Sequence, residues 1–295
     1  MSLASPAFAE WKRSGKVFDH RGHRIFYQTS AKNESASAGR LLLIHGFPTA
    51  SWDWARIWQP LAQHFELITL DMIGFGFSAK PTDFAYSIKA QADLIGALLA
   101  HLGIPSCHLL VHDYGNTVAQ ELLARQIDKS ATLALSSVCF LNGGLFPEAH
   151  RPLLIQKLLL SPLGPLIARL SNRRTFAASM RKIFGPETQP TDADLDEFWQ
   201  LLTHADGMQI MPKHIRYLVE RRQNRERWVG AVVSSPVPLR LIDGMVDPIS
   251  GAHLVERYRQ LVPEPDVVEL ERIGHYPQVE APEAVLSAFL KFHGR

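Results

Sequence analysis

The sequence predicts an α/β protein with an open, mostly parallel central sheet and an inserted helical cap. Three observations carry that prediction. Apolar runs of strand length alternate with amphipathic helical runs at both ends of the chain. The alternation stops between Pro147 and about Val229, where the periodicity is helical throughout. Polar side chains able to do chemistry stand where predicted strands end, which is where open α/β sheets bind ligands. The expected organisation is a core of residues 1–142 and 230–295 with a cap of residues 143–229.

Val17-Phe18-Asp19 and Arg24-Ile25-Phe26-Tyr27 flank a turn at Arg21-Gly22 and read as an opening hairpin. The stretch Ala31–Gly39, rich in Ser, Ala and Asn, reads as a surface loop. Leu41-Leu42-Leu43-Ile44 is apolar on both faces, as a buried parallel strand must be. It runs into His45-Gly46-Phe47-Pro48 and a helix carrying Trp52, Trp54, Ile57, Trp58 and Leu61. The strand Leu67–Leu70 ends at the turn Asp71–Ser78, read as structural, and an amphipathic helix covers Ile88–Leu102. Ala131–Phe140 is a further buried strand. Pro or Gly breaks at Pro162, Gly164, Pro165, Gly185, Pro186, Pro190 and Gly207 divide the cap. After it come the strand Pro238–Ile242, a helix His253–Leu261, the strand Asp266–Leu270 and a last helix Ala281–Phe292.

The composition narrows the function classes. A chain of 295 residues, 46% hydrophobic, can bury a full core, and 31 basic against 29 acidic residues give a formal charge of +2. That balance offers neither a nucleic-acid footprint nor an electrostatic membrane anchor. The first nine residues lack the basic and long apolar segments of a secretion signal, and no run is long enough to span a membrane. Cys107 and Cys139 lie in apolar strand runs and read as buried thiols. The expected location is the cytoplasm. No cofactor motif is found, and the thirteen histidines show no metal-ligand spacing.

The run Cys107–Val111, His112-Asp113-Tyr114-Gly115, then Asn116–Glu121 reads as a strand, an abrupt polar turn and a helix start. A strand–x-nucleophile-x-Gly–helix turn lifts one side chain clear of the sheet, and that residue here is Asp113. Asp247, just past the strand that ends at Ile242, and His275, in Ile273-Gly274-His275-Tyr276, follow in the order nucleophile, acid, base. A carboxylate nucleophile can displace a leaving group at saturated carbon and form an alkyl ester on the enzyme. His275, oriented by Asp247, would then deprotonate the water that attacks the Asp113 carbonyl carbon. The backbone N–H groups of Phe47 and Tyr114 are the expected oxyanion donors. His112 reads as a packed, hydrogen-bonded side chain, and the mixed-sign run Glu220–Arg227 as a solvated helix face.

The layout resembles the branch of the α/β-hydrolases that holds epoxide hydrolases and haloalkane dehalogenases, over nearly the whole chain. Within it the sequence looks most like the mesoderm-specific transcript protein group. The runs that carry this are His45-Gly46-Phe47-Pro48-Thr49, Leu141–Pro152, Arg227-Trp228-Val229-Gly230-Ala231 and His275-Tyr276-Pro277-Gln278. The resemblance implies an α/β-hydrolase fold and site but carries over no natural substrate. Dehalogenases of the branch hold the halide with side-chain N–H donors, commonly a Trp after the nucleophile. Here Tyr114 and Phe47 offer none, and Trp199 is the one cap candidate. Epoxide hydrolases use cap tyrosines to hydrogen-bond the epoxide oxygen, a role open to Tyr217, which reads as sharing a helix with Ile210, Met211 and His214. Those enzymes use two tyrosines, and Tyr114 or His214 would have to supply the second donor. The expectation is therefore epoxide hydrolase-like turnover of a small to medium apolar substrate. The alternatives are dehalogenase-like turnover, or lipid or partner binding with negligible turnover.

Overall fold

The computed structural model describes residues 5–31 and 39–295. Residues 1–4, and most of the predicted Ala31–Gly39 loop, lie outside the described residues. The strands are β1 (Lys16–His20), β2 (His23–Thr29), β3 (Arg40–Ile44), β4 (Glu66–Leu70), β5 (Ser106–Val111), β6 (Ala134–Phe140), β7 (Leu239–Gly244) and β8 (Val267–Leu270). They form one sheet in the order β1-β2-β4-β3-β5-β6-β7-β8. The β1–β2 and β2–β4 pairs are antiparallel and the remaining pairs parallel.

Residues successive along a strand face opposite sides of a sheet. In β3 this sends Leu42 and Ile44 into one core and Leu41 and Leu43 into the other, so both faces are covered. The first core packs against Ile95 and Leu98 of helix Ile88–His101, Val118 and Leu122 of helix Tyr114–Ile127, and the underside of the cap. The second packs against Ile57, Trp58 and Leu61 of helix Ala55–Ala62 and Val285 and Phe289 of helix Pro282–Phe292. Each such side chain removed from water contributes roughly 1.5–3 kcal/mol. Cys107 and Cys139 are free and buried, and burial pushes the Cys107 thiol up to about 12.

An N-terminal helix, Pro6–Ser14, was not apparent from periodicity. Ser5 Oγ accepts the Phe8 N–H, Pro6 fits the first turn, and Phe8 and Trp11 are buried. Trp11 meets the rings of Trp52 and Trp58 at 5.6 and 5.1 Å. A nine-residue helix shows too few turns for a pattern, and it is tertiary aromatic packing that makes it stable.

Between β6 and β7 the chain is helical from Leu154 to Val233, with interruptions that include the expected ones around Pro162 and from Gly185 to Pro190. Two expectations need correction. Ile210, Met211, His214 and Tyr217 do not share a helix. A kink with Ala205 and Asp206 at positive φ precedes the short helix Met211–His214, and a separate helix, Tyr217–Gln223, follows. Nor is Glu220–Arg227 simply a solvated face. Arg221 is buried, Glu220 accepts the Ile88 N–H, and Arg227 bridges to Glu121. Among the described residues no helix is long and apolar enough to cross a membrane.

Glu121 ties the cap's last helix to the core. Its buried carboxylate accepts from Trp228 Nε1 (2.7 Å), Arg227 Nε (2.9 Å) and Arg125 Nε (2.9 Å). Burial alone would raise this carboxyl, but the hydrogen bonds from Arg227, Trp228 and Arg125 outweigh it and lower it. Glu121→Ala is expected to cost about 3 kcal/mol in chemical denaturation, because it strands buried donors, and Glu121→Gln less. A carboxyl lowered in the folded state stabilises it above the unfolded value and loses that contribution as pH falls through the folded value. The gap between wild type and Glu121→Gln should therefore be full at pH 7 and shrink only below about pH 4.3.

Candidate active site

The strand order reverses about β3 and β5, which lie side by side with Ile44 opposite Val111. The loops that leave these two strands are thus neighbours at a topological switch point. Between β5 and helix Tyr114–Ile127 only His112 and Asp113 make the turn. Asp113 sits at φ 47°, ψ −107°, a conformation that costs a residue with a Cβ on the order of 1–3 kcal/mol. Neighbouring backbone holds it there. Asp113 N–H donates to the Asn142 carbonyl (2.9 Å), His112 N–H to that of Ile44 (3.0 Å) and Gly115 N–H to that of His112 (2.8 Å). A Cβ on Gly115 would lie 2.5 Å from the Ile44 carbonyl oxygen, so only glycine lets the helix start this close to the sheet. The Asp113 side chain makes no capping bond to its helix; it points away from it.

The three predicted catalytic side chains meet. His275 Nδ1 donates to Asp247 Oδ2 at 2.7 Å, and its Nε2 lies 3.5 Å from Asp113 Oδ2. Phe47 N–H donates to Asp113 Oδ1 at 2.9 Å. Tyr114 begins the helix, so its N–H has no partner within the helix and remains open to an oxyanion. Burial alone would raise the Asp113 carboxyl, but the His275 hydrogen bond and charge, with the Phe47 N–H, hold it well below the carboxylate range. Burial would equally lower His275, yet Asp247 and Asp113 push it well above the usual imidazole value.

Asp113 and His275 face a cavity of about 310 Å³ under the cap, walled largely by apolar side chains such as Leu153, Leu159, Met180 and Met211. Phe47 and Trp199 also line it. Tyr217 does not. It is buried with its ring 4.9 Å from that of Tyr114 and 6.5 Å from that of Phe47, and its hydroxyl has no hydrogen-bond partner. Asp113 still acts on it electrostatically, adding to the burial that pushes the phenol well above its ordinary value. His214, the proposed substitute donor, is stacked on Phe75 at 4.1 Å and stands off the cavity. Among the described residues no cluster of three His, Cys, Asp or Glu side chains is arranged to hold a metal.

Several positioning residues were not identified as such from the sequence. Asn142 Nδ2 lies within hydrogen-bond distance of Asp247 Oδ2 (3.2 Å) and of the Gly244 carbonyl (3.0 Å), and its Oδ1 accepts the Gly244 N–H (2.6 Å). With its own carbonyl on Asp113 N–H, it links Asp113 to Asp247. Ser250 donates from both Oγ (2.7 Å) and N (3.1 Å) to Asp247 Oδ2. His112 packs as expected, with Nε2 bonded to the His275 carbonyl at 2.7 Å, and burial lowers it to about 3. It is therefore a neutral strut under the base. Asn142 was visible only as a loop residue after β6, because a buried amide linking two loops leaves no local pattern.

The sequence profile of the Alpha/beta hydrolase family matches residues 41–288. The mesoderm-specific transcript protein of Mus musculus is 44% identical over 296 residues, covering 98% of this chain and 88% of the relative. Among solved structures, haloalkane dehalogenase DbeA from Bradyrhizobium elkani superposes with a TM-score of 0.79 at 21% identity, covering 95% of this chain and 97% of that one. Epoxide hydrolase CorEH superposes at 0.77 and 18% identity, covering 95% and 98%. At such identities the two structures speak for the fold alone. The family profile and the 44% relative decide more: the chain belongs to the alpha/beta hydrolase family.

Proposed function

We propose that the protein is a cofactor-free hydrolase that cleaves a carbon–heteroatom bond of a small to medium apolar substrate through an ester on Asp113, with an epoxide as the leading substrate class. The observation that carries this is the division of labour on one carboxylate. Oδ1 is held by the Phe47 N–H, while Oδ2 is turned toward His275 at the floor of an apolar cavity. Oδ2 attacks the substrate carbon, the carbon–oxygen bond of the ring breaks, and the new alkoxide takes a proton that Tyr217, set just outside the cavity wall, delivers through a bridging water. The product of this step is a hydroxyalkyl ester whose carbonyl oxygen is Oδ1.

Ester formation removes the charge on Asp113, one of the influences that raise His275. The imidazole falls toward its neutral form, gives up its proton to restore the phenol, and becomes the base for water. Water attacks the Asp113 carbonyl carbon, the negative charge collects on Oδ1 facing the Phe47 and Tyr114 N–H groups, and collapse frees the diol and the carboxylate. Two buried free thiols fit a reducing cytoplasm. Dehalogenation is the second reading because Trp199, the one cap indole considered as a halide donor, lines the cavity.

His275→Phe or His275→Gln should stall at the ester. Intact mass after incubation with epoxides should increase by the whole epoxide, localised to Asp113. Addition of an alkyl group without its halogen from haloalkanes would make the protein a dehalogenase instead. If neither reagent class labels either variant, turnover through Asp113 fails and a binding role takes its place.

Single-turnover rates should separate the two steps by pH. Alkylation needs ionised Asp113, already lowered by His275, so it should stay flat down to about pH 4. Ester hydrolysis needs neutral His275 and should rise with pH to a plateau. Asp247→Asn should move that rise to lower pH while cutting the plateau by about 10²–10⁴. Tyr217→Phe should slow epoxide opening by about 10²-fold or more, leave ester hydrolysis near wild type, and leave any halide displacement unaffected.

A further inference from the structure

Taking a guanidinium out of water is costly unless its charge is paired and its N–H groups are bonded. Arg221, in helix Tyr217–Gln223, is 2% exposed. No carboxylate among the described residues forms an ion pair with it, and its Nε and Nη2 have no hydrogen-bond partner. Nη1 lies 3.5 Å from His150 Nδ1, the limit of a hydrogen bond. The Tyr217 ring lies 5.9 Å from the guanidinium carbon, and its hydroxyl acts on Arg221 electrostatically without completing a hydrogen bond, so both ease the charge without pairing it. The nearby acids are engaged elsewhere: Glu148 with Arg225 and Arg257, and Glu220 with the Ile88 N–H. The space the guanidinium fills exists because residue 144 is glycine; a Cβ there would fall 2.0 Å from Nη1.

Arg221 borders a second cavity, of about 320 Å³, together with His150, Gln156, Lys157, Ser161 and Arg222. No acidic side chain lines it. Lys157 and Arg222 are exposed, whereas Arg221 is enclosed. A buried unpaired cation, two further cations and neutral hydrogen-bonding side chains are the complement of an oxyanion. We propose that this cavity is an oxyanion-binding site for a carboxylate or phosphate group, with Arg221 as its enclosed ligand and Lys157 and Arg222 at its mouth. Gln156 lines both this cavity and the catalytic one. An amphiphile can therefore place its acid group on Arg221 and its apolar chain toward Asp113, and a small free anion can use the same head site alone. The proposal concerns binding and stands whether or not Asp113 turns over.

Isothermal titration with phosphate, acetate and decanoate at fixed ionic strength, with chloride as the control anion, tests it. Wild type should bind at least one of the three oxyanions saturably and chloride not at all. Arg221→Gln should weaken that binding by about tenfold or more, and Lys157→Glu by several-fold. Lys157 is an exposed position, so that variant reports on the site even if Arg221→Gln does not fold. Decanoate binding at least about tenfold tighter than acetate identifies the amphiphile, because each added methylene that reaches the apolar cavity strengthens binding. Decanoate binding no tighter than the small anions identifies a free anion, and supports the site equally. No saturable binding beyond chloride, or wild-type affinity in Lys157→Glu, would overturn the proposal.

Discussion

The geometry of the candidate site depends on one backbone constraint, the positive φ of Asp113 between β5 and its helix. That conformation is unfavourable in isolation, and its neighbours hold it by hydrogen bonds from three directions: the end of β3 through Ile44, the loop after β6 through Asn142, and the helix itself through Gly115 and Asn116. Because these bonds come from the buried carboxyl ends of the central strands, strain is carried where packing is dense on both sides. The same turn that strains the backbone aims the carboxylate away from the helix and toward the Phe47 N–H and His275. Function and fold therefore share one set of hydrogen bonds.

That placement sets the electrostatics. A carboxylate and an imidazolium buried together each shift the other's titration against the direction burial alone would impose. Asp247 is kept ionised beside them by donors on several sides: Ile249 N, Ser250 N and Oγ, and His275 Nδ1. The neighbouring Asp243 is also fully buried, but burial and the Asp247 charge push it well above the carboxylate range, so it is Asp247 that carries the negative charge. In the proposed reaction each chemical step would change one member of this coupled set and thereby reset another.

Most of this frame was legible because it rests on local pattern. Apolar runs gave the strands, their two-sided hydrophobicity gave a sheet covered on both faces, and the Asp113, Asp247 and His275 turns stand at strand ends where side chains must converge. What escaped depends on long-range packing. The N-terminal helix gains its stability from Trp52 and Trp58, far along the chain from Trp11, which they pack against. Asn142 acts by bridging loops more than a hundred residues apart in sequence. Tyr217 is near the nucleophile yet outside the cavity wall, because the kink before Met211 sets the following short helices at angles no periodicity encodes. Arg221, in a run of mixed charge, read as a solvent-facing residue because nothing local shows that Gly144 leaves it room inside.

Gly143 and Gly144 pass close to both Asp113 and Arg221. On one side, a Cβ at Gly143 would meet Asp113 Cα at 2.5 Å; on the other, a Cβ at Gly144 would meet Arg221 Nη1 at 2.0 Å. This two-residue segment therefore runs between the Asp113 backbone and a buried cation, and Tyr217 feels the charge of both side chains. In an interior of low effective dielectric such a cation is felt across the segment: Asp113 helps keep Arg221 charged, and Arg221 draws Tyr217 toward ionisation while Asp113 opposes it. Any anion that neutralises Arg221 would remove the first of those two opposing influences on the phenol and leave the second. If both proposals hold, occupancy of the outer cavity and proton supply by Tyr217 would be linked by charge alone.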